Sequence, residues 1–180
     1  MSKKKIFVTS DIWFNRPIGK KIEETSNEYN EMIINNWNKT VSKKDIVYIL
    51  GGLGISEMYH LLIKLNGEIH ILNNFYTKDE KLFIKIIKHD IDSSIDKALK
   101  NKIIFEESQI LSLPELDTIL SYFPLNAWSG FETGTYHFYG LTNESDFSNN
   151  KISCKMEDWD YKPILITHIQ ESLTKFKTNC

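Results

Sequence analysis

The chain has 180 residues, of which 41% are hydrophobic and 26% are charged, and its formal net charge is −2. This composition excludes a disordered chain, and the length predicts a single domain over residues 1–180. The lysines are spread among acidic residues, so we expect neither a nucleic-acid footprint nor attraction to an anionic membrane.

Targeting signals are not expected either. The apolar run before Asp11 is too short for a signal peptide, and no segment is apolar for long enough to cross a membrane. The two cysteines, Cys154 and Cys180, are too few for a disulfide scaffold. The sequence therefore predicts a cytoplasmic protein with reduced thiols.

The first half of the chain predicts strands that alternate with helices. Short runs of β-branched and aromatic residues at 5–10, 45–50 and 68–72 are typical of buried strands. Apolar residues at helical spacing predict helices over 20–39, 56–65 and 77–88. Ser56 is expected to cap the second helix, and Asn66-Gly67 to end it.

The second half is richer in strands. We predict strands over 102–111, 116–122, 135–139 and 152–156, and a final short helix within 164–176 that follows the end of a strand. Alternating elements followed by a strand-rich half predict an α/β fold with two sheets packed as a sandwich and flanked by helices.

Short motifs follow the predicted strands, where α/β sheets place their binding crevices. They are Asp11-Ile12-Trp13, Gly51-Gly52, Asn73-Asn74-Phe75-Tyr76, Tyr122 and Gly140-Leu141-Thr142-Asn143. In order and position they resemble the motifs of small calcineurin-like metallophosphoesterases of the phage and bacterial type. Framework segments match as well, among them Asn15-Arg16-Pro17, Trp37-Asn38, Leu65-Asn66-Gly67 and Trp159-x-Tyr161-Lys162-Pro163. The resemblance covers residues 5–169 and implies a metallophosphoesterase-like sandwich.

The residue types at these motifs depart from the family. Its members hold two metal ions with Asp-x-His, Gly-Asp, Gly-Asn-His-Asp/Glu, a lone His and Gly-His-x-His. Of those oxygen ligands only Asp11 and Asn74 remain, and Gly52 stands at the position of the bridging carboxylate. Phe75 replaces the histidine that assists the leaving group. A chain that resembles this family but lacks most of its ligands is expected to bind no metal or cofactor and to have no phosphoesterase activity. We expect Asp11 to cap a loop or to pair with a base.

The replacements suggest a ligand-binding site instead. Aromatic rings would surround the former metal crevice, with amides, one carboxylate and one guanidinium beside them. Rings of this kind stack on nucleobases, and arginine grips phosphate. The predicted ligand-binding residues are Asp11, Trp13, Asn15, Arg16, Asn74, Phe75, Tyr76, Tyr122, Tyr139 and Asn143. The hypothesis is binding or sequestration of a nucleotide-like or phosphorylated small molecule, by analogy with phage relatives in phage–host conflict.

Other interpretations stay open at this point. The large side chains could simply fill the void that two lost ions leave, as part of the core. The inert fold could act as a protein-interaction module or a homo-oligomer. A residual phosphodiesterase with one metal is a third alternative. The five histidines fall in predicted helices or strands, so a relocated metal centre is not expected. His137 is close to the Tyr139 motif, and we expect it either to support the site from behind or to lie on a sheet face.

Overall fold

The structure is a computed structural model that describes residues 3–15, 22–53, 59–74, 78–93, 101–142, 144–146 and 149–178. Four helices and nine strands are present in these ranges. In chain order they are β1 Ile6–Thr9, α1 Ile22–Thr40, β2 Ile46–Ile49, α2 Tyr59–Leu62, β3 Glu68–Ile71, α3 Lys78–Ser93, β4 Ile103–Phe105, β5 Ile110–Leu113, β6 Thr118–Ser121, β7 Tyr136–Tyr139, β8 Lys151–Ser153, β9 Ile164–Leu165 and α4 Ile166–Thr178.

The strands form two sheets. The first has the order β4-β3-β2-β1-β9, in which β1 to β4 are parallel and β9 is antiparallel to β1. The second has the order β5-β6-β7-β8, in which β6, β7 and β8 are parallel and β5 is antiparallel to β6. The two sheets are tied at Ser10, whose N–H donates to the Cys154 carbonyl at 2.9 Å and whose carbonyl accepts from Met156 N–H at 3.0 Å.

Alternation along the strands places a core on each face of the first sheet. Phe7 faces a cluster that includes Trp37, Leu62 and Ile87 from the helices α1, α2 and α3. The next residue, Val8, faces a second cluster that contains residues of the other sheet and of α4. The architecture is therefore a mixed α/β fold of two mostly parallel sheets flanked by helices, as predicted at this coarser level.

One predicted strand was wrong. Residues 102–111 form two strands, because β4 pairs with β3 in the first sheet whereas β5 pairs with β6 in the second. The chain leaves one sheet at Phe105 and enters the other at Ile110, so the apolar run crosses between layers. A continuous strand could not pair with both partners.

Other boundaries moved by a few residues. The helix predicted to end near residue 88 continues to Ser93, because Ile91 still reaches the core. The strand predicted over 152–156 is β8, which ends at Ser153, and Met156–Trp159 forms a 3-10 turn. The expected cap Ser56 lies outside the described residues. The described helices include no segment with the length and apolar character of a membrane span.

Candidate functional site

The carboxyl ends of the central parallel strands and of the second sheet meet around Asp11. The Asp11 N–H donates to the Gly51 carbonyl at 3.0 Å, which joins the residues after β1 and β2. The Gly140 N–H donates to the Tyr122 carbonyl at 3.0 Å, which joins the residues after β6 and β7. We call this region the crevice, defined by Asp11, Gly52, Asn74, Tyr122 and Gly140.

The carboxylate of Asp11 is buried and fully engaged with its neighbours. The residue is 4% exposed and has a positive φ of 55°. One oxygen, Oδ1, accepts from the Tyr122 hydroxyl at 2.9 Å. The other, Oδ2, accepts from the Ser10 hydroxyl at 3.0 Å and from the Leu141 N–H at 3.1 Å. Asp11 therefore caps the loop that follows β7, as expected, and its charge is stabilised by three donors.

The ring of Tyr122 occupies the space that two glycines leave open. A Cβ atom added at Gly51 or at Gly140 would lie 2.6 Å from the Tyr122 Cδ2 atom. The tyrosine is 6% exposed, so its ring is part of the protein interior. The described part of the crevice is thus filled by an aromatic side chain, which matches the interpretation of a closed core at this residue.

Gly52 leaves no room for the missing carboxylate. Its φ is +67°, a conformation that glycine adopts without strain. A Cβ atom at this position would lie 2.5 Å from Asp11 Oδ1 and 2.6 Å from the Asp11 Cα atom. A bridging aspartate could therefore stand at residue 52 only if the Asp11 loop moved.

The Asn74 side chain donates hydrogen bonds to backbone carbonyls through its Nδ2 atom. It is buried, and its Nδ2 donates to the Leu50 carbonyl at 2.8 Å and, over a longer distance of 3.4 Å, to the Gln109 carbonyl. This side chain therefore links the end of β2 to the segment before β5. It holds the loop that follows β3 in place.

These residues do not fit a two-metal centre. The Asp11 carboxylate already accepts three hydrogen bonds, and the neighbouring Tyr122 hydroxyl acts as a donor where a histidine nitrogen would act as a ligand. No group of three or more His, Cys, Asp or Glu side chains in the described ranges is arranged to hold a metal ion. Among the described residues, the donor set thus provides no bridging group and no ligand set for a second ion.

The other predicted site residues are divided between the crevice and its rim. Asn15 makes a reciprocal pair with Asn30, since its N–H donates to Asn30 Oδ1 at 2.8 Å and its Oδ1 accepts from Asn30 Nδ2 at 2.7 Å. Trp13 has a positive φ of 46° and remains partly exposed beside the crevice. Tyr139 is buried and donates its hydroxyl hydrogen to the Glu144 carbonyl, and burial raises its pKa. Arg16, Phe75, Tyr76 and Asn143 lie outside the described residues.

Apolar side chains are exposed around the mouth of the crevice. Ile110 is opposite Ser121 in the sheet, and Phe123 lies two residues beyond Ser121. Leu141 lies two residues beyond Tyr139, which is paired with Ser121. The exposures are 48% for Ile110, 39% for Phe123 and 46% for Leu141. The pairing register brings these residues to the same end of the second sheet. We call them the apolar rim, a feature that the sequence motifs did not indicate.

His137 lies behind the crevice and is held neutral. It is fully buried on β7, and its Nε2 is 2.8 Å from the Ser121 hydroxyl. The centroid of its ring is 4.8 Å from that of Trp128 and 5.2 Å from that of Tyr139. Burial, together with the nearby Lys151 charge, lowers the pKa of His137 to about 4. The expectation of a histidine on a sheet face is confirmed.

Comparison with known proteins shows similarity to a curated relative and to a solved structure. The chain is 30% identical over 194 aligned residues to "Uncharacterized protein MJ1445" of Methanocaldococcus jannaschii, covering 98% of this chain and 96% of the relative. Its fold is similar to that of the protein of unknown function AQ665 from Aquifex aeolicus, with a TM-score of 0.58 and 17% identity over 94% of this chain and 99% of the other. No protein-family model matches the chain.

Proposed function

This chain belongs to the family of the Methanocaldococcus jannaschii protein MJ1445, and we propose that it is a binding protein without catalytic activity, built on a metallophosphoesterase-like sandwich. Its proposed ligand is a nucleotide-like or phosphorylated small molecule, bound at the outside of the crevice. The observation that carries the absence of catalysis is the 2.9 Å hydrogen bond from Tyr122 to Asp11.

The chemistry of that hydrogen bond supports the proposal. Two-metal hydrolysis needs ions about 3.5–4 Å apart, bridged by a ligand and holding an activated water. Here the remaining carboxylate already accepts hydrogen bonds from hydroxyl and N–H donors, and residue 52 has no space for a bridging side chain. Tyr122 does not act as a general acid for a leaving group, because its hydroxyl hydrogen is donated to Asp11.

The metallophosphoesterase-like sandwich is supported by where the motifs lie. Asp11 and Gly52 follow adjacent parallel strands of the first sheet, and Tyr122 and Gly140 follow adjacent parallel strands of the second. The four residues meet at one edge, which is the arrangement that the resemblance implies.

Ligand recognition is proposed for the exposed part of this edge. Trp13 is partly exposed next to the buried Asp11, and its ring offers a surface on which a nucleobase can stack. Asn15 lies beside it in a turn fixed by Asn30. Sequestration of such a ligand in phage–host conflict is the role that the resemblance suggests.

Isothermal titration calorimetry with mono-, di- and cyclic nucleotides tests this proposal. Trp13→Ala is expected to weaken binding about tenfold, because stacking on one ring contributes about 1–3 kcal/mol. Phe176→Ala is the matched control, since Phe176 is an exposed aromatic residue on α4. A protein that binds none of these nucleotides, or equal binding by both variants, would contradict nucleotide recognition at Trp13.

A second candidate function is supported by the apolar rim. Exposed patches of large apolar side chains are typical of protein interfaces, so the rim favours a protein partner or a second copy of the chain. Light scattering after size exclusion would detect a dimer, and Phe123→Glu should then convert it to a monomer. Two results together would argue against this function. The wild type would be a monomer at all concentrations, and it would bind no partner whose binding the Phe123→Glu variant loses.

Residual hydrolysis is the outcome that would overturn the whole proposal. Turnover of an aryl phosphodiester in the presence of Mn²⁺, abolished by Asp11→Ala, would mean that the crevice opens and binds metal. We expect no turnover above that of the Asp11→Ala variant.

A further inference from the structure

A cavity opens at the edge of the first sheet that lies opposite the closed crevice. It has a volume of about 380 Å³ and is lined by Lys43, Asn66, Gly67, Glu68, Asn101 and Lys102. These residues lie just before or at the first residues of β2, β3 and β4, whereas the crevice lies beyond the last residues of β1, β2 and β3. We call it the lysine cavity. Its volume is within the range of small-molecule sites.

Two lysines give this cavity an excess of positive charge. Lys102 Nζ donates to the Ile63 carbonyl at 2.5 Å, which fixes the ammonium group against the end of the α2 turn. Burial lowers the pKa of Lys102, and the nearby charge of Lys43 lowers it further. Within the described ranges, neither lysine forms an ion pair. Two ammonium groups that repel each other favour an anionic ligand between them.

One carboxylate shares the cavity and is already ionised. The Glu68 Oε1 atom accepts from His70 Nε2 at 3.0 Å, and its Oε2 is 3.6 Å from Lys4 Nζ. The hydrogen bond from His70 is the main reason that the pKa of Glu68 is lowered. An ionised carboxylate repels a second anion but accepts hydrogen bonds from hydroxyl groups. The cavity thus combines a site for an anion with a site for a hydroxyl donor.

The wall between these charges is rigid. The Asn66 N–H donates to Asn38 Oδ1 at 2.7 Å, and its carbonyl accepts from Trp37 Nε1 at 2.8 Å. The Asn66 amide also donates to the Val41 carbonyl at 3.1 Å. These bonds hold the turn before β3 against α1, so little ordering is needed when a ligand binds.

We propose that the lysine cavity binds a small phosphorylated polyol, such as a sugar phosphate. The phosphate group lies between Lys43 and Lys102, and hydroxyl groups of the sugar donate to Glu68. Asn101 completes the polar lining. This site does not depend on the crevice, so its existence and the function proposed for the crevice can fail separately.

The test is a titration followed by two-dimensional ¹H–¹⁵N NMR, with ribose 5-phosphate and inorganic phosphate as the probes. The amide signals of Asn66 and Gly67 and the indole signal of Trp37 should shift along one binding curve, while the Trp159 indole stays unchanged. Ribose 5-phosphate is expected to bind more tightly than inorganic phosphate. Trp37 is a suitable reporter because its indole donates to Asn66.

Variants separate a built site from general charge attraction. Lys43→Met and Lys102→Met are each expected to weaken ribose 5-phosphate binding at least tenfold. Lys64→Met is the matched control, because this exposed lysine lies near the same edge but does not line the cavity. Lys43 forms no hydrogen bond that the fold needs in the described ranges, so its variant remains a test even if Lys102→Met is poorly folded.

The hydroxyl contact has its own variant. Glu68→Gln is expected to remove the preference for ribose 5-phosphate over inorganic phosphate while binding of inorganic phosphate persists. Equal weakening by Lys43→Met and Lys64→Met would overturn the proposal, because it would indicate nonspecific attraction. No shift of the Asn66, Gly67 and Trp37 signals up to about 10 mM ribose 5-phosphate would overturn it as well, since a dissociation constant above that concentration means negligible binding.

Discussion

The two edges of the first sheet differ in how their charges are used. At the carboxyl edge, Asp11 is buried and accepts hydrogen bonds from Tyr122, Ser10 and Leu141. At the amino edge, Lys43 and Lys102 line a cavity without a carboxylate partner among the described residues. The edge at which α/β folds usually bind ligands is closed at its centre, and the opposite edge is open. Fold position alone therefore does not identify the binding site, because the side chains decide which edge can accept a ligand.

The closure of the carboxyl edge depends most strongly on residue 52. Gly52→Ala should lower the free energy of unfolding by about 3 kcal/mol, because a Cβ in a left-handed conformation meets the backbone of Asp11. The control is Gly134→Ala, where φ is +93° but the nearest atom outside its chain neighbours is 3.6 Å from the added Cβ. That variant should lose only about 1 kcal/mol. Urea denaturation measures both, and equal losses would mean that residue 52 is not constrained by Asp11.

The buried histidine behind the crevice gives a pH-dependent effect on stability of about 3 kcal/mol. Because the pKa of His137 falls from 6.5 to about 4 on folding, the unfolded chain takes up a proton at a pH where the folded protein does not. The contribution of the neutral His137 to the free energy of unfolding is therefore fully present above pH 6.5. It is lost as the pH falls from about 6.5 to about 4.

Denaturation at several pH values tests this linkage. The slope of unfolding free energy against pH in that window should be reduced in His137→Gln. His168→Gln should keep the slope of the wild type, since His168 is exposed on α4. A wild-type slope in His137→Gln would assign the pH dependence to other groups.

Loss of the Tyr122 hydroxyl should have a somewhat smaller effect. Tyr122→Phe is expected to lower the free energy of unfolding by about 2 kcal/mol, because it removes a donor from a buried carboxylate. Tyr29→Phe is the comparison, since the Tyr29 hydroxyl donates to the neutral Ile12 carbonyl at 2.8 Å. That change should cost about 1 kcal/mol. If the two variants are equally stable, Tyr122 does not stabilise an ionised Asp11.

We expect the smallest change in stability from a substitution at the amino edge. Lys43→Met should leave the unfolding free energy within about 0.5 kcal/mol of the wild type, as is usual for an exposed side chain away from special features. A thermal melt measures this. A large loss of stability would mean that Lys43 stabilises the fold, and would contradict the view that its side chain is free to bind a ligand.

The sequence predicted the central strands well because local signals define them. The strands β1, β2 and β3 each combine β-branched or aliphatic residues with a polar or glycine residue shortly after the end. The division of residues 102–111 was not predictable in this way. The apolar residues before Glu106 and those after Gln109 pair with strands in different sheets, and that choice depends on long-range contacts.

The candidate site was predictable in position but not in detail. Motifs at strand ends indicated that Asp11, Asn74 and Tyr122 lie at one edge. The hydrogen bond from Tyr122 to Asp11 connects residues 111 positions apart, so no local spacing could indicate it. The lysine cavity was missed for a similar reason. Lys43 and Lys102 lie in separate connections that meet only because β2, β3 and β4 are parallel.

A crystal structure determined with excess Mn²⁺ tests the central claim most directly. We expect the Tyr122 hydroxyl to remain on Asp11 and no anomalous peak at the crevice. A metal peak about 2.2 Å from Asp11 and Asn74 oxygens, with Tyr122 displaced, would contradict a closed crevice.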